Sequence, residues 1–318
     1  VNANTAVISP TSSCVVENLS HSYGDKLAVE SVSLSVKGGE VVAVLGKNGS
    51  GKTTLFRVLS TLVPVQQGKV LIDGINIASD PMAARRRLGI IFQSPSLDIK
   101  LTVLENMRCQ GMLYGLRGTE LNRRCDELMD QFSLTDRQNE ICQTLSGGLK
   151  RRVELAKGLL HQPSVMMLDE PSTGLDPSAR LALWDSLEPL ASDGVAVMLT
   201  THLMDEAAKA SRVVLMDDGR KIADAAPAEL QREVGDRVLT VVANDMDAAE
   251  HILRNDLGLP CQRVNKTLRI NIDASGVEVS DLLSKVVRHI GENAHSITIG
   301  RASLEDVFVA KTGKAFVE

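Results

Sequence analysis

Four short blocks of the chain, residues 41–45, 165–168, 195–199 and 213–216, are apolar at every position. Uninterrupted apolar runs of that length predict strands buried on both faces of a parallel sheet. Residues 54–59 can continue from the first block as a helix. Residues 15 to about 93 read as short strands and turns, and about 94–161 as mainly helical, including 108–116 and 119–131. From 164 to 223 strands and helices alternate again, as a parallel α/β core demands. Residues 213–220 read as a strand and tight turn near the end of that core.

Beyond Gly235 the pattern changes. Residues 237–243 alternate like a strand, 247–257 have helical spacing, and 261–264 with 268–272 suit two strands joined by a tight Asn265-Lys266 turn. Helical spacing returns over 277–290 and a strand-like segment over 295–299. The order β-α-β-β-α-β is the ferredoxin-like arrangement. Residues 303–308 predict a short capping helix that buries Leu304 and Phe308. Residues 1–13 are small and polar, lack the pattern of a secretory signal, and predict a flexible tail. No stretch approaches the ~20 apolar residues that span a bilayer, so any membrane step would fall to other subunits.

Composition narrows the picture only a little. With 318 residues the chain is long enough for one large domain and a smaller one. A net charge of −5 gives no electrostatic reason to expect nucleic acid as the main partner. The five cysteines lie singly, without CxxC spacing, which points to a reducing compartment and away from a disulfide framework or zinc site. The Asn-x-Ser/Thr triplets at Asn18, Asn48 and Asn265 therefore read as chance.

The first apolar block runs directly into Gly46-Lys47-Asn48-Gly49-Ser50-Gly51-Lys52-Thr53, followed by Thr54. Strand, glycine-rich loop and helix are the context that a phosphate-binding P-loop requires. Gly46, Gly49 and Gly51 are expected to let the backbone curl with positive φ, so that successive N–H groups face phosphate oxygens. The following helix offers its positive N-terminal end to the same anion. Lys52 can reach the β- and γ-phosphates, and the Thr53 hydroxyl can ligate Mg²⁺. The segment implies a bound nucleoside triphosphate.

The second block ends in Asp169-Glu170. Two carboxylates closing a buried strand suit a Mg²⁺ shell at Asp169, usually through water, and a water-polarising base at Glu170 for in-line attack on the γ-phosphate. Ser146-Gly147-Gly148 opens a basic helical stretch and makes a second possible anion cradle from backbone N–H groups and a helix end. The same residues also suit an ordinary helix start capped by Ser146. A nucleotide already gripped by the P-loop has no use for a second cradle in the same molecule, but one from another copy would.

Together these motifs resemble the ATP-binding subunit of an ATP-binding cassette (ABC) transporter, over roughly residues 15–230 and in the family's order. The resemblance implies further roles. Tyr23 would stack on adenine. Gln93 would touch Mg²⁺ and the attacking water and couple to the membrane subunit. Asp176, in Ser172-Thr173-Gly174-Leu175-Asp176, would lie at the dimer interface, and His202 would contact the γ-phosphate. Leu145 to Leu149 matches the family signature, whose fifth position, commonly Gln, is Leu149 here. The anion contacts come from Ser146 and the Gly147 and Gly148 backbone, so a competent site is still expected. Residues 101–106, 113–116 and the C-terminal 303–308 narrow the likeness to the daunorubicin-resistance (ABC-2) type of exporter, which includes drug, lipid and polysaccharide exporters.

The expectation is therefore an α/β chain: a tail over 1–13, an ABC ATP-binding domain of P-loop NTPase fold over 14–232 with a helical subdomain at about 94–161, and a C-terminal α+β accessory or regulatory domain over 236–312. The resemblance implies an ATPase using ATP and Mg²⁺, paired as a homodimer or with another cassette, and bound to an integral membrane permease at the inner face of the cell membrane. A soluble cassette ATPase acting on nucleic acid or ribosomes, not in transport, is the alternative. The absence of a long coiled-coil insertion, the single P-loop and the acidic balance weigh against it. The intact Glu170 and His202 weigh against a purely regulatory nucleotide sensor.

Overall fold

The computed structural model describes residues 12–235, 237–264, 266–272, 278–314 and 316. Most of the expected tail lies outside them, as does Asn265 of the expected turn. Two compact units divide between Asp224 and Ala225.

In the first unit, β1 (Ser12–Tyr23), β2 (Lys26–Lys37), β4 (Gln67–Ile72) and β5 (Ile75–Asn76) form one sheet in the order β2-β1-β4-β5. A second, six-stranded sheet has the order β10-β9-β3-β8-β7-β6. Its members are β3 (Val41–Gly46), β6 (Leu88–Ile91), β7 (Val165–Asp169), β8 (Ala196–Thr201), β9 (Arg212–Asp217) and β10 (Arg220–Ala225). The pairs β9/β3, β3/β8, β8/β7 and β7/β6 are parallel. Every residue of β3, β7 and β8 is buried, as the uninterrupted apolar runs require.

The helices of this unit are α1 (Lys52–Leu59), α2 (Pro81–Arg85), α3 (Val103–Leu113), α4 (Gly118–Gln131), α5 (Gly147–Leu159), α6 (Pro177–Ser192) and α7 (Met204–Ala207). Two expectations change here. The strands before the P-loop are not short: β1 and β2 each run for 12 residues. Register shifts between Val16 and Leu19, with Asn18 at φ 48°, break the alternation along β1 that a sequence pattern would need. Helix α3 begins at Val103 rather than at 108, because Thr102 and Glu105 form a reciprocal cap. The Glu105 amide donates to Thr102 Oγ1 at 3.2 Å, and the Thr102 amide to Glu105 Oε2 at 2.8 Å.

The second unit contains α8 (Pro227–Val234), β11 (Val238–Ala243), α9 (Met246–His251), β12 (Gln262–Val264), β13 (Thr267–Asn271), α10 (Val279–Ile290), β14 (Ala294–Gly300) and α11 (Leu304–Thr312). The sheet order β12-β13-β11-β14, antiparallel throughout, is the ferredoxin-like arrangement. Its core joins Leu239, Val241, Leu268 and Ile270 of the sheet to Leu253, Leu282 and Val286 of the helices. The helix expected over 247–257 finishes in a π-helical turn over Ile252–Asp256. Helix α11 buries Leu304 and Phe308, as its spacing predicts. Helix α8 belongs to this unit and packs on α11, with Lys311 Nζ 2.6 Å from Glu233 Oε2.

Arg212 at the start of β9 ties distant parts of the first unit together. Its guanidinium donates to Glu40 Oε1 at 2.6 Å, to Asp224 and to the Ser35 carbonyl. Burial opposes ionisation of Glu40, but the hydrogen bonds from Arg212 and from the Lys37 amide hold its carboxyl below the usual range. A depressed folded pKa stabilises the native state fully above the ordinary carboxyl value of about 4.3. That stabilisation disappears as pH falls through the lower folded value. In urea at pH 7, Glu40→Gln is expected to lose about 2 kcal/mol, and its gap to the unsubstituted protein should close as the pH is lowered below about 4.

Candidate functional site

Strand β8 lies between β3 and β7, with Thr201 opposite Leu45 and Thr200 opposite Asp169. The three strands therefore deliver the P-loop, the Asp169-Glu170 pair and His202 to one edge of the sheet. Carboxyl ends of parallel strands are where open α/β sheets bind ligands.

In the loop, Gly49 and Gly51 have φ of 84° and 98°. Gly46 is not among the positive-φ residues, so its reason for being glycine differs from the one expected. A Cβ there would lie 2.4 Å from Ser50 Oγ and 2.5 Å from the Met216 carbonyl, so the loop closes on itself only with a bare backbone. Lys52 is buried at the start of α1, its Nζ donating to the Gly46 carbonyl at 2.7 Å and the Lys47 carbonyl at 3.0 Å. Glu170 Oε1 lies 3.9 Å from the same nitrogen. Burial pushes the Lys52 ammonium below its ordinary value, against the pull of Glu170 and Asp169.

Burial also raises the Asp169 carboxyl, opposed by the hydrogen bond from Thr200 Oγ1 to Asp169 Oδ1 at 2.6 Å. Glu170 sits at φ 42°, a left-handed conformation unusual for a residue other than glycine. Its amide is fixed there by the Thr200 carbonyl at 3.2 Å and Thr200 Oγ1 at 2.9 Å. Strain held in place by surrounding bonds is characteristic of functional positions. Around Glu170 Oε2 gather Gln93 Nε2 at 3.2 Å, Thr173 Oγ1 at 3.3 Å and His202 Nδ1 at 3.3 Å. The histidine nitrogen is near but not aligned for a hydrogen bond.

An open cleft of 380 Å³ runs along this edge, lined by Tyr23, Asn48, Gly49, Gly51, Lys52, Thr53, Thr54 and Glu170. Tyr23 is 45% exposed, its ring edge-on to His21 at 4.9 Å, and so presents a free face. Ser146, Gly148 and Asp176 line a different cleft, of 220 Å³, with the N-terminal turns of α5 and α6. Gly147 lies beside it, with Leu175 next to its α-carbon. Ser146 Oγ accepts from the Leu149 amide at 3.3 Å, which is the capped helix start that the sequence suits. Asp176 caps α6 by accepting from Ser178 Oγ at 2.6 Å and the Ala179 amide at 2.9 Å, and these bonds hold its carboxyl below the usual range.

The structure thus gathers Tyr23, residues 46–54, Gln93, Asp169, Glu170 and His202, and leaves Ser146, Gly147, Gly148 and Asp176 apart from them. Sequence reasoning missed Thr200, which is 1% exposed and bonds both acidic residues. Only the strand register reveals it, since a threonine at a strand end carries no signal alone.

A parallel sheet with a glycine loop after β3 and paired carboxylates after β7 defines a P-loop nucleotide hydrolase. A family model described as ABC transporter matches residues 29–173. The daunorubicin resistance ATP-binding protein DrrA3 of Streptomyces coeruleorubidus is 37% identical over 306 residues, covering 94% of this chain and 95% of that protein. The Nod factor export ATP-binding protein I of Ralstonia nicotianae is 34% identical over 301 residues, covering 94% and 93%. The dimeric structure of MJ0796, a bacterial ABC transporter cassette, matches with a TM-score of 0.61 and 28% identity, covering 67% of this chain and 98% of that one. The chain belongs to the ATP-binding subunits of ABC transporters. It binds ATP, and its hydrolysis of ATP is coupled to transport.

Thr200→Val keeps the shape of the side chain and removes both bonds to the acidic pair. It is expected to cost about 2 kcal/mol of stability and to lower kcat for phosphate release roughly tenfold, read by urea unfolding and a steady-state phosphate assay.

Proposed function

We propose that this chain is one half of a dimeric motor that powers export through a separate membrane permease, with two ATP molecules held between two copies. The observation that carries this reading is the division of the anion-binding elements between two clefts of one chain. In a head-to-tail pair, the P-loop cleft of one copy faces Ser146, Gly147, Gly148 and Asp176 of the other. The paired arrangement of the MJ0796 cassette supports it.

In the proposed site, Tyr23 stacks on adenine, and Lys47, Asn48, Ser50 and Thr54 complete the loop around the phosphates. Lys52 exchanges its two backbone carbonyls for β- and γ-phosphate oxygens. Thr53, Gln93 and Asp169 would hold Mg²⁺. They offer only hydroxyl, carboxamide and carboxylate oxygens, as a hard cation requires, and Thr200 occupies only Oδ1 of the Asp169 carboxylate. When bound, the ion neutralises charge on the phosphate oxygens. Glu170 accepts a proton from the attacking water as its oxygen bonds to the γ-phosphorus. The bond from that phosphorus to the bridging oxygen breaks, and its electron pair leaves with ADP. Gln93 and His202 flank the Glu170 carboxylate and orient the water and the γ-phosphate. Because the γ-phosphate holds the copies together, its cleavage releases them.

Among the described residues no helix is long and apolar enough to cross a membrane. A permease partner supplies the channel and the chain sits on the cytoplasmic face of the membrane, a reading supported by relatives named as ATP-binding proteins of drug resistance and Nod factor export. Leu113 is 82% exposed and Met112 is 53% exposed at the end of α3, apolar surface that suits a permease segment. Export of a drug, lipid or polysaccharide follows the relatives, which are named for drug resistance and Nod factor export. The ATP-binding domain is assigned to the first unit, and steadying or regulating the dimer to the ferredoxin-like unit.

Glu170→Gln should bind ATP, hydrolyse it at least ~100-fold more slowly, and elute as an ATP-dependent dimer in size-exclusion chromatography. A monomer under those conditions would sink the paired-site reading. Lys52→Ala should abolish hydrolysis, and unchanged phosphate release would remove the P-loop cleft as the site.

A further inference from the structure

Gln93 reaches Glu170 from a five-residue segment, 92–96, whose backbone is bonded by charged side chains of α5. Arg151 Nη1 donates to the Phe92 carbonyl at 3.1 Å. Glu154 Oε1 accepts from the Ser96 amide at 2.7 Å and from Ser96 Oγ at 3.4 Å. Lys157 Nζ donates to the Ser96 carbonyl at 2.8 Å. Arg151 and Glu154 are joined by an Nη1–Oε2 bond of 3.0 Å, and their side chains are 6% and 2% exposed. The three charges recur every third residue, so they share one face of the helix.

Such a cluster is costly to build. Burial pushes the Glu154 carboxyl up and the Arg151 and Lys157 groups down, each against the attraction of its partners. A buried ion pair adds little net stability compared with apolar residues of the same volume, so packing alone is a weak reason for it. What the cluster does provide is direction. Its bonds fall on either side of Gln93, at Phe92 and Ser96, and Pro95 between them has no amide to donate. The other end of the same helix is the cradle capped by Ser146.

We propose that Glu154, with Arg151 and Lys157, is a positioning residue that locks the Gln93 segment to α5, the helix that opens at Ser146, and so holds the Gln93 carboxamide against Glu170. This rests on the reading of Gln93 and Ser146–Gly148 given above. A helix held at one end by the partner's phosphates and at its side by the Gln93 backbone cannot shift without moving the carboxamide 3.2 Å from Glu170.

The test uses the full chain. Arg151→Met/Glu154→Met removes both members of the ion pair together, and Lys157 keeps its hydrogen bond to the Ser96 carbonyl, so the variant should fold. It is expected to lower kcat about tenfold while KM for ATP stays within about twofold. Lys157→Met keeps the apolar stem and loses one bond to Ser96, and should lower kcat by about threefold with the same split. Full kcat in both variants would overturn the proposal. So would a parallel fall of kcat, ATP affinity and thermal midpoint, which marks a merely structural role. Glu170→Gln run alongside separates the two failures. If it is inactive while the α5 variants keep full kcat, only the clamp is wrong, and if it hydrolyses normally, the site reading itself is wrong.

Discussion

The register that places β8 between β7 and β3 governs the site, because groups far apart in the chain become neighbours only at the ends of these strands. Thr200 stands opposite Asp169, and Thr201 opposite Leu45, the residue before the P-loop. A slip of one residue would turn the Thr200 hydroxyl to the other face of the sheet. Asp169 would then lose its donor, and the Glu170 amide would lose one of the two bonds that hold its left-handed conformation. All three strands are buried at every position, so side-chain packing rather than a polar and apolar alternation holds the register.

From that row follows an electrostatic state prepared for a highly charged ligand. Lys52 and Asp169 are both desolvated, and burial shifts each toward its neutral form, opposed at Lys52 by Glu170 and Asp169 and at Asp169 by the Thr200 hydrogen bond and Lys52. Lys52 meanwhile spends its donors on two carbonyls of its own loop. A triphosphate with its cation would answer both groups at once. A buried lysine and a buried aspartate cost more apart than together, which explains why the cleft carries one of each.

The remaining functional elements depend on helices rather than strands. Ser146 and Asp176 both act as helix caps, and their helices α5 and α6 open on one cleft. A cap and an anion site use the same backbone N–H groups, so the proposed cradle for a partner's nucleotide would draw on the structure that caps the helix. The same helix carries the Arg151, Glu154 and Lys157 side chains to the Gln93 segment.

Much of this was legible in the residues. The P-loop was legible in Gly49, Gly51, Lys52 and Thr53 after an apolar strand, because the positive φ of those two glycines is a local demand. Asp169 and Glu170 were visible as charges closing a buried run, and the ferredoxin-like unit as a sequence of alternating periods. Less visible were the features that depend on pairing at a distance. The length of β1 was hidden by its bulge at Asn18. The start of α3 is set by the reciprocal Thr102–Glu105 cap rather than by apolar spacing. Thr200 and the reason for Gly46 needed neighbours at residues 169 and 216. Glu154 needed a loop more than fifty residues away. The sequence by itself determined which groups can grip and cleave a triphosphate, since that chemistry is written in residue type and short spacing. Only the tertiary structure decided which of them share a cleft, because strand order and helix packing join positions that no local pattern relates.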